Sequence, residues 1–90
     1  MKRLFPSRQY KKDYKRYRNN PQKLAALAHI LRMLANDIPI PPQYHPRPLH
    51  GNYEGCFECH IGSDFLLIWI DPKHDIIELV RLGSHSELFG

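Results

Sequence analysis

Five prolines crowd one ten-residue segment, at positions 39, 41, 42, 46 and 48, and they divide the chain into two unlike halves. Proline lacks a backbone N–H and holds φ near about −65°, so this segment can be neither a regular helix nor a central strand. We expect an ordered loop or extended connector over residues 38–48. Helical spacing precedes it and strand-like alternation follows it, which indicates an α+β fold.

The first half predicts two helices. Ser7 is a suitable N-cap for a helix over residues 8–18, in which three tyrosines share one face that is expected to pack on the core. Those tyrosines are Tyr10, Tyr14 and Tyr17. Asn20-Pro21 is a typical N-cap and first helical residue, and it begins a second helix that ends near Asn36.

The second half predicts an antiparallel sheet. Three segments have strand character, namely residues 55–61, 65–71 and 75–82, with turns at residues 62–64 and 71–74. Such short connections make neighbouring strands antiparallel. A short strand at residues 2–5 and a tail at 84–90 complete the order β-α-α-β-β-β. We expect one domain over residues 1–90, with two N-terminal helices packed on one face of the sheet.

Charge is distributed unevenly between the two ends. Residues 1–47 hold eleven basic and two acidic side chains, whereas residues 48–90 hold two basic and seven acidic ones. In the first helix, basic side chains cover the surface away from the tyrosines, among them Lys11, Lys12 and Lys15. A basic block of this kind favours a polyanionic partner, either a nucleic acid or an acidic protein segment. The alternative is an ordinary solvated helix face.

The apolar pattern excludes several classes. The longest apolar run, Phe65 to Ile70, is far short of the about 20 residues that cross a bilayer, so no membrane association is expected. No apolar segment follows the basic start, so no secretion signal is visible and the cytosol is the expected compartment. Two cysteines are too few for a disulfide scaffold.

Histidine is abundant, with six residues, and those in or beside the second half include His45, His50, His60 and His85. If the strands pair as neighbours, His60, Asp64, Arg81 and His85 can converge near the end of the sheet. This set suits cleavage of a phosphodiester by attack of a ribose 2′-hydroxyl. One side chain removes the hydroxyl proton, another protonates the leaving 5′-oxygen, and arginine neutralises charge on the phosphorane. A structural or surface role for His60 remains the simpler alternative.

The segment Cys56-Phe57-Glu58-Cys59-His60 matches the C-x-x-C-H haem-attachment pattern, and with His85 it could supply four zinc ligands. Strand alternation sends Cys56 and Cys59 to opposite faces, which argues against both sites. We therefore expect structural thiols and no metal or other cofactor.

Four segments together resemble the YafQ branch of the RelE-like toxins, which are ribonucleases of type II toxin–antitoxin modules. They are Arg47-Pro48-Leu49-His50-Gly51-Asn52-Tyr53-Glu54-Gly55, Phe57-Glu58-Cys59-His60-Ile61, Asp64-Phe65-Leu66-Leu67-Ile68-Trp69 and Arg81-Leu82-Gly83-Ser84-His85-Ser86-Glu87-Leu88-Phe89-Gly90. The resemblance implies a RelE-like fold and metal-independent cleavage of mRNA, typically in the ribosomal A site. It also implies neutralisation by a cognate antitoxin, through which the complex can bind operator DNA.

The resemblance also implies roles for individual residues. His60 and Asp64 match an H-x-x-x-D motif, Arg81 an arginine that contacts the scissile phosphate, and His85 a histidine proposed as general acid. Phe89 matches a near-terminal aromatic that could stack on a base.

The general base is left open. Arg47 stands where the family pattern often has histidine, and His50 is three residues further on, so both are expected at the substrate-binding surface together with Phe89 and the three lysines. Because that loop histidine is missing, a non-catalytic module that binds RNA or an antitoxin is the competing interpretation.

Overall fold

The computed structural model describes residues 1–73 and 75–90. In chain order, the elements are β1 (Arg3–Pro6), α1 (Arg8–Arg16), α2 (Pro21–Ala35), β2 (Arg47–Pro48), β3 (Phe57–Gly62), β4 (Phe65–Lys73), β5 (Ile76–Gly83) and α3 (His85–Phe89). Single 3-10 turns lie at Pro42–Tyr44 and Gly51–Tyr53. The α+β fold predicted from the sequence is confirmed.

Both predicted helix starts are confirmed by their capping hydrogen bonds. The Ser7 hydroxyl accepts the backbone N–H of Tyr10 at 3.0 Å, and the Asn20 side chain accepts that of Lys23 at 3.2 Å. These bonds satisfy N–H groups that have no partner within the helix. Pro21 occupies the first turn of α2, where its missing N–H costs nothing.

The sheet has the strand order β1-β5-β4-β3-β2, which makes β1 and β2 the edge strands. The strands β3 to β5 pair antiparallel, as predicted. The two-residue strand β2, which lies in the segment expected to be a loop, pairs antiparallel with β3. β1 pairs parallel with β5, so the expectation of a wholly antiparallel sheet is wrong at one edge. The physical reason is the long connection between these strands. Because α1, α2 and three strands separate β1 from β5, no tight turn forces them to run antiparallel.

The sheet buries apolar side chains on both faces. On the helix-pair face, which α1 and α2 cover, the core includes Cys59, Phe65, Leu67, Trp69, Leu79 and Leu82. On the opposite face, called the α3 face below, Cys56, Leu66, Ile68 and Leu88 form a second cluster. Cys56 and Cys59 therefore lie in different clusters, as strand alternation predicts, and both are free thiols. Burial raises the pKa of Cys59 to about 12, which makes it an unreactive core residue.

The chain after β5 is not an irregular tail, because residues 85–89 form the short helix α3. Ser84 and Glu87 form a capping box in which each side chain accepts the other residue's backbone N–H, at 3.2 and 2.8 Å. The helix places Leu88 in the second cluster. The turn expected at residues 71–74 is shortened since β4 continues to Lys73, and His74 lies outside the described residues.

The tyrosine face of α1 is only partly directed at the core. Tyr10 is buried and Tyr17 half-buried, but Tyr14 is 38% exposed. The side chain that is fully buried in their place is Asp13. This difference arises because β1 pairs with β5 only as far as Leu79. After Leu79, α1 lies against the edge of β5, where backbone groups need hydrogen-bond partners.

Across residues 1–73 and 75–90, no helix combines the length and the apolar character that a membrane crossing requires.

Candidate active site

Strand register places the polar residues of the α3 face in two rows. Arg47, Glu58, Ile68 and Arg81 are cross-strand neighbours from β2 to β5, and His60, Leu66 and Gly83 form the next row. Residues opposite one another in a sheet project to the same face. Because adjacent strands lie about 4.7–4.9 Å apart, roughly 10 Å separates the backbone of His60 from that of Gly83.

Arg81 is fixed by a buried carboxylate. Its Nε lies 2.8 Å from Asp13 Oδ2 and its Nη2 lies 3.3 Å from Asp13 Oδ1. Asp13 Oδ2 also accepts the backbone N–H of Leu82 at 3.0 Å, and Oδ1 accepts Gln9 Nε2 at 3.1 Å. Asp13 thus serves both as the partner of the guanidinium and as a hydrogen-bond acceptor for the open edge of β5.

Electrostatics favour the charged form of both partners. Burial alone would raise the pKa of Asp13, but hydrogen bonds from Arg81, Leu82 and Gln9, together with the positive charge of Arg81, lower it below its ordinary value. The same pair raises the pKa of Arg81. The site therefore presents a permanently charged guanidinium whose orientation is set by the sheet edge.

The remaining terminal nitrogen of Arg81 connects it to α3. Arg81 Nη1 lies 3.4 Å from the hydroxyl oxygen of Tyr53, and that hydroxyl donates to the Leu88 carbonyl oxygen at 3.0 Å. The Tyr53 ring meets the Phe89 ring edge-on with centroids 5.5 Å apart, and the Phe89 and His85 rings are 4.9 Å apart. Arg81 and His85 are thus joined by a continuous series of contacts.

Asp64 positions the start of α3. It lies in the turn between β3 and β4 with a positive φ of 51°, and its Oδ1 accepts the backbone N–H of His85 at 2.8 Å. A second set of contacts holds the same helix from the side of α1. Glu87 accepts from the Tyr17 hydroxyl at 2.6 Å and pairs with Arg16 at 3.3 Å. These contacts leave the His85 side chain exposed on a fixed backbone.

Two further pairs lie at the β2–β3 end of the rows. The half-buried His60 ring meets the exposed His45 ring nearly edge-on, with centroids 5.7 Å apart. Arg47 Nε donates to Glu58 Oε2 at 2.6 Å, and the Glu58 side chain is only 1% exposed. The other carboxylate oxygen of Glu58, Oε1, is buried and has no hydrogen-bond partner among the described residues.

His50 and Phe89 line a shallow cavity of about 230 Å³ together with Asn52, Tyr53 and Leu88. The His50 side chain is 83% exposed and its Nδ1 lies 3.7 Å from a carboxylate oxygen of Glu54. The Phe89 ring lines this cavity and also contacts the His85 ring, so the cavity lies next to His85. An aromatic ring in a cavity wall is suited to stacking on a nucleobase.

The three basic residues singled out on α1 do not share the Asp13 side of that helix. At about 100° per residue, Lys11 and Lys15 lie on the side opposite Asp13, and Lys12 lies between the two sides. All three are exposed. They form a separate surface, called the lysine patch below.

Of the four residues predicted to converge, three are connected by contacts and one lies apart. Asp64 and His85 are in direct contact, and Arg81 reaches His85 through Tyr53 and Phe89. His60 lies in the adjacent row, where its aromatic neighbour is His45.

Sequence reasoning missed Asp13, Tyr53 and His45 as members of the site. Among the features that hold the site together, only the capping signal Ser84-x-x-Glu87, which fixes the start of α3, can be recognised from local sequence.

Comparison with known proteins gives consistent matches over nearly the whole chain. A sequence model described as a bacterial toxin of type II toxin–antitoxin systems, YafQ, matches residues 2–90. The mRNA interferase toxin YafQ of Escherichia coli K12 is 31% identical over 85 residues, which cover 93% of this chain and 91% of that protein.

Solved structures agree in fold. A metal-bound toxin from Helicobacter pylori is 37% identical with a TM-score of 0.87, covering 99% of this chain and 100% of that one. The toxin of the E. coli DinJ–YafQ complex is 26% identical with a TM-score of 0.87, covering 100% of both chains.

These matches extend over nearly the whole chain and define its class: it is a bacterial toxin of a type II toxin–antitoxin system. Within that class the chain belongs to the YafQ family.

Proposed function

We propose that this protein is an endoribonuclease toxin that cleaves mRNA by attack of a ribose 2′-hydroxyl on the adjacent phosphate. The observation that carries the proposal is the series of contacts from Arg81 through Tyr53 and Phe89 to His85. It provides a fixed cation and an exposed imidazole on one side of the α3 face. The names of the E. coli relatives, mRNA interferase toxins, support the same substrate.

Arg81 stabilises the charge that develops on phosphorus. Asp13 occupies Nε and Nη2, so Nη1, which makes only a 3.4 Å contact with Tyr53, is the donor best able to turn to a phosphate oxygen. Since the Asp13 carboxylate is itself bound to the sheet edge, the guanidinium needs little reorganisation when charge appears.

His85 is the proton donor to the leaving 5′-oxygen. Its backbone is held by Asp64 and by the capping box of α3, and its ring is exposed beside Phe89. An imidazole suits this step because its ordinary pKa of about 6.5 makes both protonation states accessible near neutral pH. A base stacked on Phe89, in the cavity that His50 lines, would place its own phosphate next to His85.

The proposed setting is the ribosome, with a cognate antitoxin as inhibitor. The lysine patch, which is exposed and does not share the Asp13 side of α1, suits phosphate contacts that position the protein without recognising base sequence. Two structures of the DinJ–YafQ complex show that E. coli relatives bind an antitoxin, and we propose an equivalent cytosolic partner here, through which the complex binds operator DNA.

The test is cleavage of an mRNA on programmed ribosomes by purified protein, with the ends of the products determined. We expect a 2′,3′-cyclic phosphate and a 5′-hydroxyl end, and we expect His85→Ala to reduce the rate about 10²–10⁴-fold. Arg81→Lys should also lose most activity, because an ammonium does not reproduce the planar guanidinium fork. His29→Ala, an exposed change on α2, is the control.

A folded protein that binds ribosomes but produces no cleavage, with or without translation, would contradict the proposal. That result would favour the competing function, a binding module that uses the basic surface for RNA.

A further inference from the structure

The proposed cleavage requires a group that takes the 2′-hydroxyl proton, and two candidates near the β2–β3 end of the rows are unsuitable. Arg47 is permanently protonated, and its Nε is engaged by Glu58 at 2.6 Å. Glu58 is 1% exposed beneath that ion pair, so its carboxylate lies out of reach of a substrate on the surface.

His45 and His60 provide imidazoles at the same end. Their rings meet nearly perpendicular, at 75°, with centroids 5.7 Å apart, and His45 is the exposed member of the pair. His60 is half-buried in the row that ends at Gly83, two residues before His85. The backbone of His60 is two strand spacings, roughly 10 Å, from that of Gly83, so the imidazole pair lies across the α3 face from the segment that leads to His85.

The backbone that carries His45 is held in an unusual conformation. His45 has φ 50° and ψ 51°, the left-handed region that few residues other than glycine adopt, and its N–H donates to the Pro42 carbonyl oxygen at 2.9 Å. Tyr44, the residue before His45, packs against the core on the helix-pair face. Such conformations persist only where the surroundings impose them, and they are frequent at functional sites.

We infer that His45 is the general base of the reaction and that His60 is a positioning residue that orients its ring. In this step, which rests on the proposed function, the 2′-O–H bond breaks and its proton passes to a ring nitrogen of His45. The 2′-oxygen forms a bond to phosphorus, the P–O5′ bond breaks, and the 5′-oxygen takes a proton from His85. Protons and charge balance with no metal ion or external reactant.

His50 is the rival for this role. It lies on the cavity that Phe89 lines and pairs with Glu54, which places it on the His85 side of the site. A base and an acid must act on opposite oxygens of the reacting phosphorus, so a position beside His85 suits base binding better than proton abstraction.

The experiment compares the cleavage rates of His45→Ala, His45→Asn and His50→Ala on programmed ribosomes. Asparagine tolerates the left-handed backbone of residue 45 but cannot act as a base, so His45→Asn separates loss of the imidazole from distortion of the loop. We expect both His45 variants to lose about 10²–10⁴-fold in kcat with ribosome binding unchanged. We expect His50→Ala, at the cavity proposed to hold the base, to act mainly on KM and to lower kcat far less than the His45 variants do. His29→Ala, an exposed change on α2, is the control that should leave both kcat and KM unchanged.

Added free imidazole should restore part of the activity of His45→Ala. Full activity of His45→Asn would overturn the assignment. A fall in the kcat of His50→Ala as large as that expected for His45→Ala would also overturn it. Failure of the proposed function is distinguishable, because the wild-type protein itself would then produce no cyclic phosphate.

Discussion

Replacing Asp13 with asparagine tests whether α1 sets the orientation of Arg81. The amide keeps the shape of the carboxylate, and its oxygen can still accept the Leu82 N–H that Asp13 Oδ2 accepts at 3.0 Å. Its NH₂ group, however, takes the place of Oδ1 and faces two donors, Arg81 Nη2 and Gln9 Nε2, which now lie 3.3 and 3.1 Å from that oxygen. The substitution therefore removes the charge pair while it preserves the sheet-edge contact.

The size of the effect follows from burial. Removal of one partner of a buried ion pair costs about 3–5 kcal/mol. Asp13 is fully buried, but the Arg81 side chain is 19% exposed, so water can solvate part of its charge. Because the Leu82 bond is also retained, we expect Asp13→Asn to lower the free energy of unfolding by about 2–4 kcal/mol. A domain with about 5–15 kcal/mol of stability remains folded after such a loss.

The effect on catalysis can be measured separately from the effect on stability. A misplacement of about 1 Å costs roughly 10²-fold in rate, so we expect kcat to fall by about that factor at a temperature where the variant is fully folded. Urea unfolding and cleavage of ribosome-bound mRNA measure the two quantities. Gln9→Ala, which removes only a neutral donor 3.1 Å from Asp13 Oδ1, is the matched control and should change kcat little.

A double variant decides between positioning and simple destabilisation. If Asp13 acts through Arg81, then Asp13→Asn should cost almost nothing further in kcat when Arg81 is already alanine. An additive loss in that double variant, or a wild-type kcat in Asp13→Asn, would refute the argument.

Three other predictions follow from the same structure. The pKa of Asp13 is lowered in the folded state, so the charged carboxylate contributes fully to stability above its ordinary pKa of about 3.9. That contribution is lost as the pH falls further and the carboxylate is protonated. Below about pH 4, the urea midpoint of Asp13→Asn should therefore fall less than that of the wild type. Cys56 and Cys59 lie in different clusters on opposite faces of the sheet, so they cannot bind one ion together. We therefore expect a chelator of transition metals that spares ribosomal Mg²⁺ to leave cleavage unchanged, and a loss of activity on chelation would contradict this. Changing Lys11, Lys12 and Lys15 together to glutamine should weaken ribosome binding and reduce its salt dependence without altering codon preference, and an unchanged salt slope would assign the patch to solubility.

Local sequence was sufficient for features that neighbouring residues determine. Ser7 and Asn20 cap their helices through residues three positions away, and alternation alone separates Cys56 from Cys59. The capping box of Ser84 and Glu87 is equally local, so α3 was also predictable in principle.

The rest depends on contacts that no local pattern encodes. In the sequence, Asp13 is only the one acidic residue among the basic residues of α1. It is buried because it pairs with Arg81, which is 68 positions away. The parallel pairing of β1 depends on how α1 and α2 cross the sheet. His45 becomes a candidate only because the proline-rich loop folds back against His60.

Both edge strands of the sheet are short and end in proline, β1 at Pro6 and β2 at Pro48. A proline offers no N–H to an incoming chain, and the arginine that begins each strand, Arg3 or Arg47, adds positive charge to both edges. Edges of this kind resist the strand-to-strand pairing from which aggregates grow. These two borders therefore give a free copy of the chain little surface on which a second copy can polymerise.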